Sequence, residues 1–321
     1  MMRTGKIFWS SAVSRCYHLS LLCVLLLLGA CAGTQFSVPA IPHGADGQRL
    51  AGKVIWHDLV SDTPAASEAF FSGLFGWEFQ SLSLTGANYS LIKHKGQLIG
   101  GMVDQTQLPT TADISQWIPV MSVANADAAK SAVLRGGGTV LTPPTSLGER
   151  GTIAVIEDPQ GAVIALLETR EGDPADVAGP VSVGSFLWNE LWTSDASQAS
   201  AFYRSLATLE SESIAVPVAP DANYQLLSSL GRPRLGIRNT PAPEMPPLWL
   251  SYLRVVDESE LEIALSKVED LGGSILVPKL ERPSGGYMAI IADPSGASIA
   301  LQTWDQGAIG AASGANGEIV Q

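Results

Sequence analysis

The feature that most constrains this chain is an internal repeat with a long period. Trp56-His57-Asp58-Leu59 matches Trp188-Asn189-Glu190-Leu191 at an offset of 132, and Phe70 matches Phe202 and Trp117 matches Trp249 at the same offset. Ala87-Asn88-Tyr89 matches Ala222-Asn223-Tyr224, and Asp158-Pro159-Gln160-Gly161 matches Asp293-Pro294-Ser295-Gly296, both at 135. Anchors in the same order at near-constant spacing mark a duplication. The units predicted are 49–170 and 183–305, joined by a linker at 171–182 and flanked by a tether at 31–48 and a tail at 306–321.

Each unit splits again into two pieces of one plan. An alternating strand, Lys53 to Val60, leads to a helix with Thr63 placed to cap it and Pro64 in its first turn, where a missing N–H costs little. Ala66, Phe70 and Leu74 recur four apart and predict a one-sided apolar stripe, and Gly76 ends the helix. In the second unit Asp195 with Gln198 forms a capping-box pattern. The second pieces open on strands near Ile118 to Val123 and Leu248 to Val255. Their helices are stopped by Gly136-Gly137-Gly138 and Gly272-Gly273, with Leu261, Ala264, Leu265, Val268 and Leu271 on the buried face of the later one. The two Asp-Pro segments read as tight turns between the last strands of each unit. The class expected is α+β, strand–helix–strands four times over.

The first thirty residues obey a different rule. Arg3, Lys6 and Arg15 precede an apolar run from Leu19 to Leu28, too short to cross a bilayer, which needs roughly 20 residues. Leu28-Gly29-Ala30-Cys31 resembles the lipobox of bacterial lipoproteins. That resemblance implies a signal peptide over 1–30 and lipidation of Cys31, two or three acyl chains holding the protein at a membrane at ~0.8 kcal/mol per buried CH₂. Ala32 is not the Asp that retains some lipoproteins at the inner membrane, which favours the periplasmic side of the outer membrane within the cell envelope. The three cysteines are Cys16, Cys23 and Cys31, so the part after Cys31 has no disulfide and no thiol nucleophile. Of 19 basic residues three precede Cys31, leaving 16 against all 31 acidic ones, a net −15. Such a surface repels phosphate, so nucleic acid is not expected as a partner and membrane attachment falls to the lipid.

Trp188-Asn189-Glu190-Leu191 with Asp195, Ala201-Phe202-Tyr203, Leu74-Phe75-Gly76-Trp77, and Gly148-Glu149-Arg150-Gly151 followed by Asp158-Pro159-Gln160-Gly161 resemble the glyoxalase/bleomycin-resistance/dioxygenase (vicinal oxygen chelate) superfamily over almost all of 49–305. The resemblance implies paired βαβββ modules curled into ligand-holding cups, and a divalent metal held by His and Glu. Residue by residue, the family's ligand positions hold Trp56 and Trp188 on the opening strands, Ala165 and Ala300 on the last strands, and, more loosely aligned, Ile118 and Leu250. The fourth position, on the late strands of the first and third pieces, has no secure alignment. His18 and His43 lie before the first unit; His57 alternates onto the face opposite Trp56 and Asp58, and His94 sits in a polar hairpin, where it is expected to be solvated. No metal and no cofactor is predicted.

Trp56 with Asp58, and Trp188 with Glu190, each offer an aromatic wall and a carboxylate, suited to a flat or cationic organic molecule. Tyr252 and Arg254 alternate onto one face of their strand and add a hydroxyl and a cation, with Arg254 a candidate to pair with Glu190. The function expected is binding of a small organic molecule in the cups. Two alternatives stand beside it: a metal-dependent lyase, isomerase or dioxygenase, and a scaffold whose cups are filled by their own tryptophans.

Overall fold

The computed structural model describes residues 38–304 apart from 43, 45, 85–86, 177–178, 180, 215–222 and 283–284. Cys31, the leader before it and the tail at 306–321 lie outside the described residues. Four βαβββ modules follow one another. The first is β1 (Val54–Ser61), α1 (Pro64–Phe75), β2 (Glu78–Leu84), β3 (Ala87–His94) and β4 (Gln97–Asp104). The second is β5 (Gln116–Ser122), α2 (Ala126–Arg135), β6 (Thr139–Ser146), β7 (Gly151–Glu157) and β8 (Val163–Thr169). The third is β9 (Phe186–Thr193), α3 (Ala196–Leu206), β10 (Glu210–Ile214), β11 (Tyr224–Ser229) and β12 (Arg232–Asn239). The fourth is β13 (Leu248–Val255), α4 (Glu258–Val268), β14 (Ser274–Glu281), β15 (Tyr287–Ala292) and β16 (Ser298–Thr303).

Modules pair into two eight-stranded mixed sheets of the same order, β2-β3-β4-β1-β5-β8-β7-β6 and β10-β11-β12-β9-β13-β16-β15-β14. Within each module the last strand returns parallel to the first, and the two modules of a sheet join through the antiparallel pairs β1·β5 and β9·β13. The helix-bearing faces of the two sheets are pressed together crosswise. Leu59, Phe70, Trp77 and Ile92 of the first module share a core with Leu253, Leu261, Ile291 and Leu301 of the fourth. Val133, Ile156 and Leu166 of the second share one with Phe202, Tyr203 and Leu235 of the third, to which Trp249 of the fourth adds. The opposite sheet faces hold two smaller, separate clusters, around Trp56 and Tyr89 in one sheet and around Leu250 and Tyr252 in the other.

Local chemistry explains the element ends. Asn125, Asp195 and Asp257 each accept a hydrogen bond from the backbone N–H three residues on, at 2.8, 3.0 and 3.0 Å, satisfying orphan donors at the starts of α2, α3 and α4. Gly76 closes α1 at φ 68°, a conformation that side chains resist. In both Asp-Pro turns the buried carboxylate accepts two backbone N–H groups, from Gln160 and Ala162 in one and Ser295 and Ala297 in the other.

Two expectations need correction. Thr63 does not cap α1 with its side chain; its hydroxyl donates to Asp62 instead, 3.2 Å away. The buried stripe of α1 runs through Ser67, Phe70 and Phe71 with Leu74 partly buried, rotated from the Ala66–Phe70–Leu74 line because Phe71 locks between Trp77 and Trp117.

Candidate ligand cups

Alternation along β1 turns Trp56 and Asp58 to the inner face and His57 to the outer one. Inside the first cup, the Trp56 indole N–H donates to Asp58 Oδ1 at 2.9 Å and lies 3.1 Å from the Tyr89 hydroxyl. Tyr89 in turn donates to Asp58 Oδ1 at 2.8 Å. Arg150 donates to the Tyr89 oxygen at 2.9 Å while its guanidinium carbon rests 4.3 Å from the centre of the Trp56 ring. Arg150 is only 3% exposed, and its Nη2 has no partner among the described residues. The approach of Tyr89 depends on Gly101, beside Asp58 on β4: a Cβ there would fall 1.9 Å from the tyrosine oxygen. Burial pushes the Asp58 carboxyl up, partly offset by the Arg150 charge and the hydrogen bonds from Tyr89 and Trp56. Burial, then the Asp58 charge, drives the Tyr89 hydroxyl far above its ordinary range.

The second cup repeats the plan with different valences. Trp188 donates to the Tyr224 oxygen at 3.2 Å. Glu190 Oε1 accepts from Trp192 at 2.6 Å and from Tyr252 at 3.2 Å, and Tyr224 also bonds Glu190. Gly236 stands where Gly101 stands in the first unit; its Cβ would lie 2.1 Å from the Tyr224 oxygen. Arg238 sits 5.6 Å from the Trp192 ring, and the Arg282 charge acts on both tyrosines. Burial, then the charge of Glu190, raises the Tyr224 and Tyr252 hydroxyls. Trp188 and Trp192 are half-buried, whereas Trp56 is 3% exposed.

Five of the six residues singled out from the sequence are thus brought together: Trp56 with Asp58, and Trp188, Glu190 and Tyr252. Arg254 stands apart. Its guanidinium donates to the Val181 carbonyl of the linker and its backbone pairs with Gly184 and Ser185, so the ion pair with Glu190 does not form; Leu250 is the residue opposite Glu190, and Arg254 lies four positions further along β13. His94 is also corrected. The hairpin is there, but its ring lies across Gly184, where a Cβ would come 2.2 Å from a ring carbon, and both ring nitrogens are enclosed without a partner. Trp192, Tyr89, Tyr224, Arg150 and the two glycines were not singled out for the site. Trp192 carried a usable signal, since it follows Glu190 by two on the same strand.

The donor set does not fit a family-type divalent ion. One row across the first cup reads Trp56, Val120, Ala165, and the matching row of the second reads Trp188, Tyr252, Ala300. Ile118 and Leu250 pair with Asp58 and Glu190 on one side, and Gly101 and Gly236 pair with the same two residues on the other. Among the described residues no three His, Cys, Asp or Glu side chains gather to hold an ion. An ion needing imidazole or several carboxylates would meet indoles, methyl groups and bare backbone.

No protein-family profile matches the chain. It is 28% identical over 248 residues to "Putative glyoxylase CFP32" of Mycobacterium bovis, covering 77% of this chain and 92% of that protein. It is also 28% identical over 285 residues to "Anthracycline biosynthesis protein DauV" of Streptomyces sp. strain C5, covering 83% and 98%. Its fold matches a Mn(II)-bound glyoxalase from Novosphingobium aromaticivorans at a TM-score of 0.55 and 14% identity, covering 79% of this chain and 82% of that one. A catechol 2,3-dioxygenase matches at 0.52 and 13%, covering 79% and 93%. In fold the chain is thus α+β with two tandem eight-stranded sheets built of βαβββ modules, like these glyoxalase and dioxygenase structures, and in sequence it is similar to a putative glyoxylase and to an anthracycline biosynthesis protein.

Proposed function

We propose that this is a lipid-anchored protein that binds a small planar organic molecule in its cups without a metal of the family type, with Cys31 as the attachment point on the periplasmic side of the outer membrane. The observation carrying the ligand reading is the second cup: two half-buried indoles, Trp188 and Trp192, stand beside a Glu190 carboxylate that already organises Trp192 and Tyr252. Aromatic walls with a fixed polar floor suit stacking of a flat molecule and orient its polar edge. The kinship with an anthracycline biosynthesis protein agrees with a flat aromatic ligand.

The test is a thermal-shift screen of the purified chain against flat aromatic ketones, quinones, catechols and antibiotics, repeated on Trp188→Ala. A ligand at a hundredfold excess over Kd adds about 2.7 kcal/mol, a shift of a few degrees. At least one compound should stabilise the native chain and not the variant. Stabilisation by none of them, or equal stabilisation of both proteins, defeats the proposal. Elemental analysis runs beside it: a stoichiometric divalent ion in the purified protein would move the metal-dependent enzyme reading into first place.

A further inference from the structure

The two cups differ in what covers them. In the first, a strap of the chain, residues 38–42, lies against the inner face of the sheet. Val38 and Ile41 are 3% and 4% exposed and belong to the same apolar cluster as Trp56, Tyr89 and Leu147. The strap is pinned by backbone as well: the Val38 N–H donates to the Leu147 carbonyl at 3.1 Å, and Arg150 Nε donates to the Pro39 carbonyl at 3.0 Å. Further along, Gly44 donates to the Asp173 carbonyl at 2.9 Å, and Asp173 donates to the Gln48 carbonyl at 2.8 Å. The linker that enters the second unit is thereby drawn toward the first. Among the described residues no strap crosses the second cup.

A short apolar segment that buries two side chains, Val38 and Ile41, against the cup and sets a carbonyl on the site's buried cation has the chemistry of a ligand. Arg150 and Asp58 carry opposite charges in one pocket, so their sum favours a neutral occupant over an ion. The Pro39 peptide carbonyl is such an occupant: a strong acceptor without charge. Arg150 Nη2, enclosed and unpaired, marks the place where a second acceptor atom would be bound and the strap supplies none.

We infer that residues 38–42 are a built-in occupant of the first cup, standing in for a neutral, carbonyl-bearing planar molecule, and that an exogenous ligand therefore takes the second cup first. This rests on the reading of the cups as ligand sites. Displacing the strap turns a chain with one available cup into a chain with two.

Two measurements test it. Hydrogen exchange on the native chain reads the strap directly: the Val38 amide should exchange at least about a hundredfold slower than a free peptide. Titration with Nile red, a neutral planar dye carrying a carbonyl, reads the cups: the native chain should bind one dye, and Ile41→Asp, which puts a carboxylate into the apolar wall, should lose Val38 protection and bind two. Circular dichroism checks the variant's fold, and the native exchange measurement needs no variant. A freely exchanging Val38 in the native chain overturns the inference, as does a released strap with unchanged dye stoichiometry. Absence of dye from the native chain while Val38 stays protected, followed by one dye on Ile41→Asp, supports the strap and counts against the second cup instead.

Discussion

His57 Nε2 lies 2.8 Å from Asn189 Oδ1, and the two occupy the same position in the two repeats. The bond therefore sits where the pseudo-twofold relating the units must pass. Asn189 Oδ1 also accepts from Ser251 at 2.9 Å, and the imidazole stacks on Phe186 at 3.6 Å. Asn189 Oδ1 can only accept, so His57 carries its proton on Nε2. Burial lowers its pKa to about 4, against the weaker opposing effect of the Asn189 bond. The unfolded chain thus binds a proton near pH 6.5 that the folded chain refuses. The stability from neutral His57 is complete above pH 6.5 and falls as pH drops toward 4. By pH 5 the loss should be about 2 kcal/mol. Urea unfolding at pH 7.5 and 5.0 should show it in the native chain and show it much reduced in His57→Gln. Equal losses in the two proteins would rule this account out.

Tyr203 ties the second module to the third. Its hydroxyl donates to Asp158 Oδ2 at 3.0 Å and accepts from Trp249 at 3.3 Å, all three residues being buried. Tyr203→Phe leaves both partners unsatisfied without opening a cavity. It should cost about 1–3 kcal/mol, read as a lower urea midpoint. A neutral result would mean water replaces the hydroxyl.

Gly236→Ala should separate binding from folding. The new methyl would meet side chains rather than backbone, the Tyr224 oxygen at 2.1 Å and the Trp188 indole nitrogen at 3.2 Å, so the tyrosine swings away from Trp188 and Glu190. Ligand affinity in the second cup should fall at least about tenfold while stability changes by about 1 kcal/mol or less. Calorimetric binding unchanged by the substitution would remove Tyr224 from the site.

The linker carboxylate Asp176 holds the units together. It meets Arg234 at 2.7 Å and Lys53 at 3.1 Å, one from each unit. Partial burial works against its charge, but hydrogen bonds from Arg234 and Lys53 outweigh that and hold its pKa at about 2. Arg234 is 7% exposed, so Asp176→Ala strands a buried cation. Allowing for the partly exposed carboxylate, the loss should be about 1–2 kcal/mol, and limited proteolysis should cut 171–182 faster. Unaltered cleavage would show the clamp to be dispensable.

If the proposed acyl chains are the anchor, Cys31→Ser should move the protein from the membrane pellet to the soluble fraction, because a net charge of −12 gives anionic headgroups little to attract. A variant that still sediments with membranes would exclude the lipid as the anchor.

The fold was legible where a residue has a local physical job: Asp195 caps its helix, and the repeated Asp158 and Asp293 close turns through their own backbone. Alternation likewise placed Trp56 with Asp58 and Trp188 with Glu190 on one face. What escaped depends on distant chain. Arg150 reaches Trp56 across 94 positions of sequence, which no periodicity encodes. Residues 38–42, read from composition as tether, are ordered by a cup that forms elsewhere. Arg254 does keep step along its strand with β16, but alternation says which face a side chain takes and not how far along the strand its partner lies, and Glu190 stands opposite Leu250. Thr63 had the right residue type for a cap, but Asp62 took its hydroxyl.

The crosswise cores make each half the other's cover. Half of this molecule, made alone, would expose the helix-bearing face of its sheet, a surface too apolar to leave in water. An isolated half could bury that face only against a partner, and a second copy of itself would meet it isologously. Held in one chain, the halves need not be identical: His57 faces Asn189 across the seam, and the two cups are free to differ.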